Sequence, residues 1–138
     1  MKIRYLPHTA DVRMLLEAES LQKLFVAGTK GMSNLLKEGI CDHTFIFHRK
    51  TTIKTSASDF TNLLIDFLSD VLSHTYANNT IYCKINILSF KKYGIVAEIF
   101  GNEINEFDEE IKAVTYHEAN VVKNAESNLW ETCIIFDI

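Results

Sequence analysis

Val12-Arg13-Met14-Leu15-Leu16-Glu17-Ala18-Glu19-Ser20-Leu21-Gln22-Lys23-Leu24-Phe25 joins a short, mostly apolar run to a stretch whose apolar residues recur at helical spacing. Residues 12–16 read as a strand and Ser20 as a helix N-cap, because its hydroxyl can take an otherwise orphaned backbone N–H. From there Leu21, Leu24, Phe25, Met32, Leu35 and Leu36 line one helical face. Gly28 and Gly31 inside that pattern each cost about 1 kcal/mol of helix propensity relative to Ala, and so mark close packing against a sheet. Gly39 stands in the usual closing position.

The same change of period recurs further on. Phe45, Phe47, Thr51, Ile53 and Thr55 alternate with His48, Lys50, Thr52 and Lys54 through much of residues 44–56, predicting one half-buried strand or two joined ones, with His48 facing solvent. Ser58 and Asp59 then open a second helix with an apolar stripe at Phe60, Leu63, Leu64, Phe67, Leu68 and Val71. Asp66, Asp70 and His74 share a face of it that reads as solvated. Each helix follows a strand and precedes an apolar strand region, which suggests two strand-helix-strand-strand halves, although no residue-level repeat supports them.

Residues 81–88 and 93–100 form a hairpin, and 102–110, with five acidic residues, an exposed and mobile loop. Three antiparallel strands follow at 111–117, 119–122 and 129–138. In the last, Trp130, Thr132, Ile134 and Phe136 share one face and Glu131, Cys133, Ile135 and Asp137 the other. The expected fold is α+β: antiparallel or mixed sheets packed with two main helices in one compact domain, 1–138.

Bulk properties narrow the function. Lys and Arg number 14 against 18 Asp and Glu, a formal net charge of -4, and no basic run forms a phosphate-neutralising patch. That balance argues against direct, non-specific nucleic-acid binding and leaves RNA within reach only through a partner. The cysteines Cys41, Cys83 and Cys133 are odd in number and widely spaced, fitting a reducing compartment, with Cys83 and Cys133 as small core residues. Neither a secretory signal nor a segment of ~20 apolar residues is present, so no membrane association is expected and the location reads as cytoplasmic.

Chemistry concentrates at Leu6-Pro7-His8-Thr9-Ala10-Asp11. Pro7 cannot donate a ladder hydrogen bond, so the strand entering at 3–6 ends there or lies at an edge, and Asp11 or Thr9 could simply bond its own turn. At the other end Asp137 is followed only by Ile138, which sets a side-chain carboxylate beside the terminal one unless that end is frayed. Carboxylates held close repel unless a cation or protons intervene, and a hard divalent ion of the Ca²⁺, Mg²⁺ or Mn²⁺ type prefers oxygen ligands. Asp11 would complete such a set, with His8 beside it. Lys112 is a further polar candidate or an ordinary surface lysine.

The His8-Thr9-Ala10-Asp11 loop, the Lys112-Ala113-Val114-Thr115-Tyr116-His117 segment and the closing Asp137-Ile138 together resemble the archease family in order and spacing. Ser20-Leu21-Gln22-Lys23-Leu24-Phe25 is similar to its first helix, although Lys23 stands where an acidic residue is commoner. The resemblance implies a small α+β protein that activates an RtcB-type RNA ligase in tRNA splicing and RNA repair, promoting guanylylation of the ligase histidine and its multiple turnover. It also implies a divalent-metal site at Asp11, Asp137 and an oxygen of Ile138, an activating role for Lys112, and motif roles for His8 and His117. No catalytic residue is expected, since neither a P-loop nor a nucleophile with its base is evident. The competing readings are a small metal-dependent phosphoester hydrolase and a chaperone-like binding module with a structural metal.

Overall fold

The computed structural model describes residues 1–7 and 11–138. In chain order the elements are β1 (Lys2–Pro7), β2 (Asp11–Ala18), α1 (Leu21–Leu36), α2 (Ile40–His43), β3 (Arg49–Ser56), α3 (Phe60–Asn78), β4 (Thr80–Lys91), β5 (Gly94–Glu103), β6 (Ala113–Thr115), β7 (Val122–Lys123) and β8 (Trp130–Asp137). The fold is α+β, as expected. One sheet has five strands in the order β1-β2-β8-β6, with β7 also on β8, and the other three in the order β3-β5-β4. Every strand pair is antiparallel.

Both helix starts follow the local chemistry read from the chain. The Ser20 hydroxyl accepts from the Lys23 amide at 3.1 Å and the Asp59 carboxylate from the Asn62 amide at 2.7 Å. Each main helix touches strands of both sheets, α1 through β2 and β4 and α3 through β3 and β6. Met14, Leu16, Phe25, Phe67, Ile134 and Phe136 close the core between them. Large apolar side chains of this kind each stabilise the fold by about 1.5–3 kcal/mol on burial. Gly28 and Gly31 do mark close approaches. A Cβ at Gly28 would lie 3.3 Å from Leu68, and one at Gly31 would lie 2.5 Å from the Met14 sulfur.

The proposed halves close differently. The segment β3-α3-β4-β5 is a strand-helix-strand-strand unit whose strands form the whole three-stranded sheet, whereas β2 pairs with strands from the two chain ends. Residues 44–48 do not extend β3. They follow the short α2, which the periodicity did not predict, and Phe45 and Ile46 are exposed. The helix α1 ends before Gly39, whose φ of 68° instead turns the chain into α2.

Two local expectations are corrected. The acidic segment 102–110 is tied down rather than mobile. The amides of Asp108 and Glu109 donate to the Leu36 carbonyl at the end of α1, and the Asp108 carboxylate accepts from the Glu38 amide at 2.9 Å. That bond, with the Lys37 ammonium beside it, holds the Asp108 carboxyl below its ordinary value. Phe107 packs edge-on against Tyr76, whose hydroxyl both donates to and accepts from the Ile111 backbone at 2.8 Å. The solvated face expected on α3 is also engaged: Thr55 donates to Asp70 at 2.6 Å, and Tyr116 donates to Asp66.

The cysteine reading is corrected in part: Cys133, the free thiol, is only half-buried, and Cys83 is buried in the core as expected but forms a disulfide with Cys41. A β-bulge causes this. The register of β4 on β5 steps from Tyr82 to Lys84, so Cys83 falls out of the alternation and turns inward toward α2. The bridge joins residues 42 apart in sequence. Cys41→Ser, or reduction of the wild type, should cost about 2–4 kcal/mol, read as a lower urea midpoint. An unchanged midpoint in reducing buffer would show that the bridge contributes nothing to stability.

Candidate functional site

The two carboxylates singled out in the sequence meet across a strand pair. Asp11 is the first residue of β2 and Asp137 the last of β8, and the antiparallel register sets them directly opposite each other. The pairing is dictated by the strands' apolar faces. Met14 and Leu16 on β2, with Ile134 and Phe136 on β8, are buried, and a slip of one residue would turn that set toward solvent. Directly opposed residues have Cβ atoms about 4.5–5.5 Å apart, and like charges in that position repel. Asp11 is half-buried and Asp137 exposed.

The third segment arrives on the other side of β8. Ala113 pairs with Asp137, and the Lys112 amide donates to the Asp137 carbonyl at 2.7 Å. Asp11, Lys112 and Asp137 thus come from three places in the chain to one end of the five-stranded sheet. Lys112 is exposed, while Ile138 is half-buried against the core. His8 lies outside the described residues. His117 is exposed on the turn after β6. Because Thr115 already pairs with Ile135, the chain at His117 has run away from the Asp137 end of β8.

Among the described residues, no group of three or more His, Cys, Asp or Glu side chains gathers in a way that could hold a metal ion. The donor chemistry at Asp11 and Asp137 nonetheless fits a hard divalent cation: two carboxylate side chains on one face of the sheet, beside main-chain oxygens at the end of β8. One partner there was not legible in the sequence. Arg13, two residues into β2 on the face of Asp11, pairs with Glu118 on the turn after His117. Only the folded chain shows that this pair ties the turn to the sheet.

The model of the Archease protein family (MTH1598/TM1083) matches residues 3–138. The chain belongs to the archease family. Among curated archease relatives, the protein archease of Methanosarcina mazei is 27% identical over 147 residues, spanning 99% of this chain and 96% of its own. The archease-like protein of Drosophila melanogaster is 28% identical over 145 residues, spanning 100% and 91%. In fold, the chain is similar to the solution structure of protein 1598 of Methanobacterium thermoautotrophicum, with a TM-score of 0.77 at 20% identity over 99% of this chain and 98% of that one. It is also similar to the crystal structure of an archease, described as a possible chaperone, from Thermotoga maritima, with a TM-score of 0.68 at 15% identity over 100% and 98%. No helix of the archease chain, among its described residues, is long and apolar enough to cross a membrane.

Proposed function

We propose that this archease is an accessory protein that activates an RtcB-type RNA ligase, promoting guanylylation of the ligase histidine and multiple turnover in tRNA splicing and RNA repair. The observation that carries the reading is the convergence of Asp11, Lys112 and Asp137 at one sheet end, since all three belong to the segments that resemble the family's motifs. In this reading Asp11 and Asp137, with an oxygen of Ile138, hold a divalent ion of the Ca²⁺, Mg²⁺ or Mn²⁺ type. When bound, the ion would supply positive charge for phosphate oxygens. The exposed Lys112, at the same end of the sheet, would supply a point charge for phosphate or for a carboxylate of the ligase. His8 and His117, by the segments that resemble the family's motifs, are assigned to contact with the ligase or with phosphate. The chain acts with the ligase in the cytoplasm and has no turnover of its own.

The test is a ligation assay with limiting ligase, with and without the archease. Added archease should convert a single round of joining into many. The hydrolase reading predicts metal-dependent turnover of nucleotides or phosphoesters by the archease alone. Such turnover, with no effect on ligation, would replace the activator reading.

A further inference from the structure

The outer face of the three-stranded sheet gathers charge that the chain scatters. Alternation along β3 buries Ile53 and Thr55 and turns Lys50, Thr52, Lys54 and Ser56 outward. In β5, Ile95, Ala97 and Ile99 are buried, so Gly94, Val96, Glu98 and Phe100 face the same way. The register then sets cross-strand rows. Lys54 and Ser89 flank Val96, and Ser56 and Lys91 flank Gly94. Around that end lies a cavity of about 290 Å³ lined by Lys54, Ser56, Ser89, Lys91, Gly94 and Val96 among others. Gly94 leaves its floor open, because a Cβ built there meets nothing nearer than the Thr55 carbonyl at 3.9 Å.

At the opposite end of the same face, Phe100 is flanked directly by Lys50 and Lys84, with the Lys84 ammonium 5.3 Å from the ring centroid. Phe100 lies six positions beyond Gly94 along β5, about 20 Å of strand. Between the two ends stands Glu98, which accepts from Asn86 at 3.0 Å and pairs with Lys50 at 3.3 Å. These rows therefore hold four lysines against one carboxylate, in a chain whose formal net charge is -4.

We propose that this face binds a single strand of nucleic acid, phosphates in the lysine-walled trough over Gly94 and a base stacked on Phe100. Charge complementarity calls for a polyanion. The flat aromatic ring on a strand flanked by Lys50 and Lys84 favours one that carries stacking rings, since a base on an aromatic platform contributes about 1–3 kcal/mol and an acidic peptide has no such group. Net charge and the lack of a basic run hid this surface, because Lys50, Lys54, Lys84 and Lys91 become neighbours only through strand pairing.

Fluorescence anisotropy of the full chain with a labelled oligouridylate of about 10 nucleotides tests the proposal without ligase or metal. Failure here therefore leaves the ligase reading standing, and failure in the ligation assay leaves this one standing. Affinity should fall with salt at a log–log slope of roughly -2, as for about three phosphates contacted on a single strand. Lys54→Glu with Lys91→Glu should weaken binding about tenfold or more, and Phe100→Leu should do so with little change in the salt slope. Gly94→Val should fill the trough and weaken binding while the circular-dichroism melt is retained. Glu98→Gln should tighten binding, a gain that misfolding cannot mimic. Absence of salt-dependent binding, wild-type affinity in the lysine variants, or equal competition by polyglutamate would each overturn the proposal.

Discussion

Asp11→Ala should reduce multiple-turnover ligation by an RtcB-type ligase to near the level without archease, while the melting curve of the archease itself changes little. Asp11 begins its strand and is only half-buried, so truncation opens no core cavity. It also removes one of two opposed like charges, which on its own would stabilise the sheet end. A loss of activation without a loss of stability thus separates a ligand from a structural residue. Asp137→Ala should behave alike, and Lys112→Ala should lower activation about tenfold, equivalent to ~1.4 kcal/mol of lost coupling. Glu126→Ala, an exposed change in the turn between β7 and β8, should leave activation intact. If the Asp11 and Lys112 variants activate normally, the binding-module reading with a purely structural ion takes precedence.

Gly101→Ala should be the most damaging small substitution in the three-stranded sheet. A Cβ there would lie 2.0 Å from the Ile81 carbonyl oxygen, 2.7 Å from its carbon and 2.9 Å from the Tyr82 Cα. All three are backbone atoms, so no rotamer change relieves the overlap, and β4 would have to move away from β5 at the bulge that aims Cys83 toward Cys41. A cost of about 3 kcal/mol or more follows from overpacking that only a backbone shift can relieve. For a chain of this size that lowers the melting midpoint by roughly 10 °C. Gly94→Ala is the control on the same strand, since the added methyl enters open space and should be neutral or stabilise by about 0.4–1 kcal/mol. Equal effects at the two positions would show that the close approach at Gly101 does not govern the packing of this sheet.

Features that depend on near neighbours in sequence were legible. The helix starts at Ser20 and Asp59, the hairpin of β4 and β5, and the alternation of β8 all express caps and periods set within a few residues. Where a distant partner intervenes, local reading fails. The segment 102–110 looked loose because its composition is acidic, yet it is fastened by the carbonyl at the end of α1 and by Tyr76. Cys83 looked like a core thiol because nothing near it in sequence announces the bulge that delivers it to Cys41.

The candidate site divides the same way. By itself the sequence determined which residue types are available, Asp11, Lys112 and Asp137 in segments that resemble one family, and it determined the helices and strands that carry them. Only the tertiary structure decided that Asp11 faces Asp137, that the Lys112 amide bonds the Asp137 carbonyl, and that lysines from separate strands share one face around Phe100. The physical reason is register. A strand's side chains alternate whatever its partner, but which of them meet across a sheet is set by burial of the apolar face over the whole pairing, a non-local quantity that no single stretch contains.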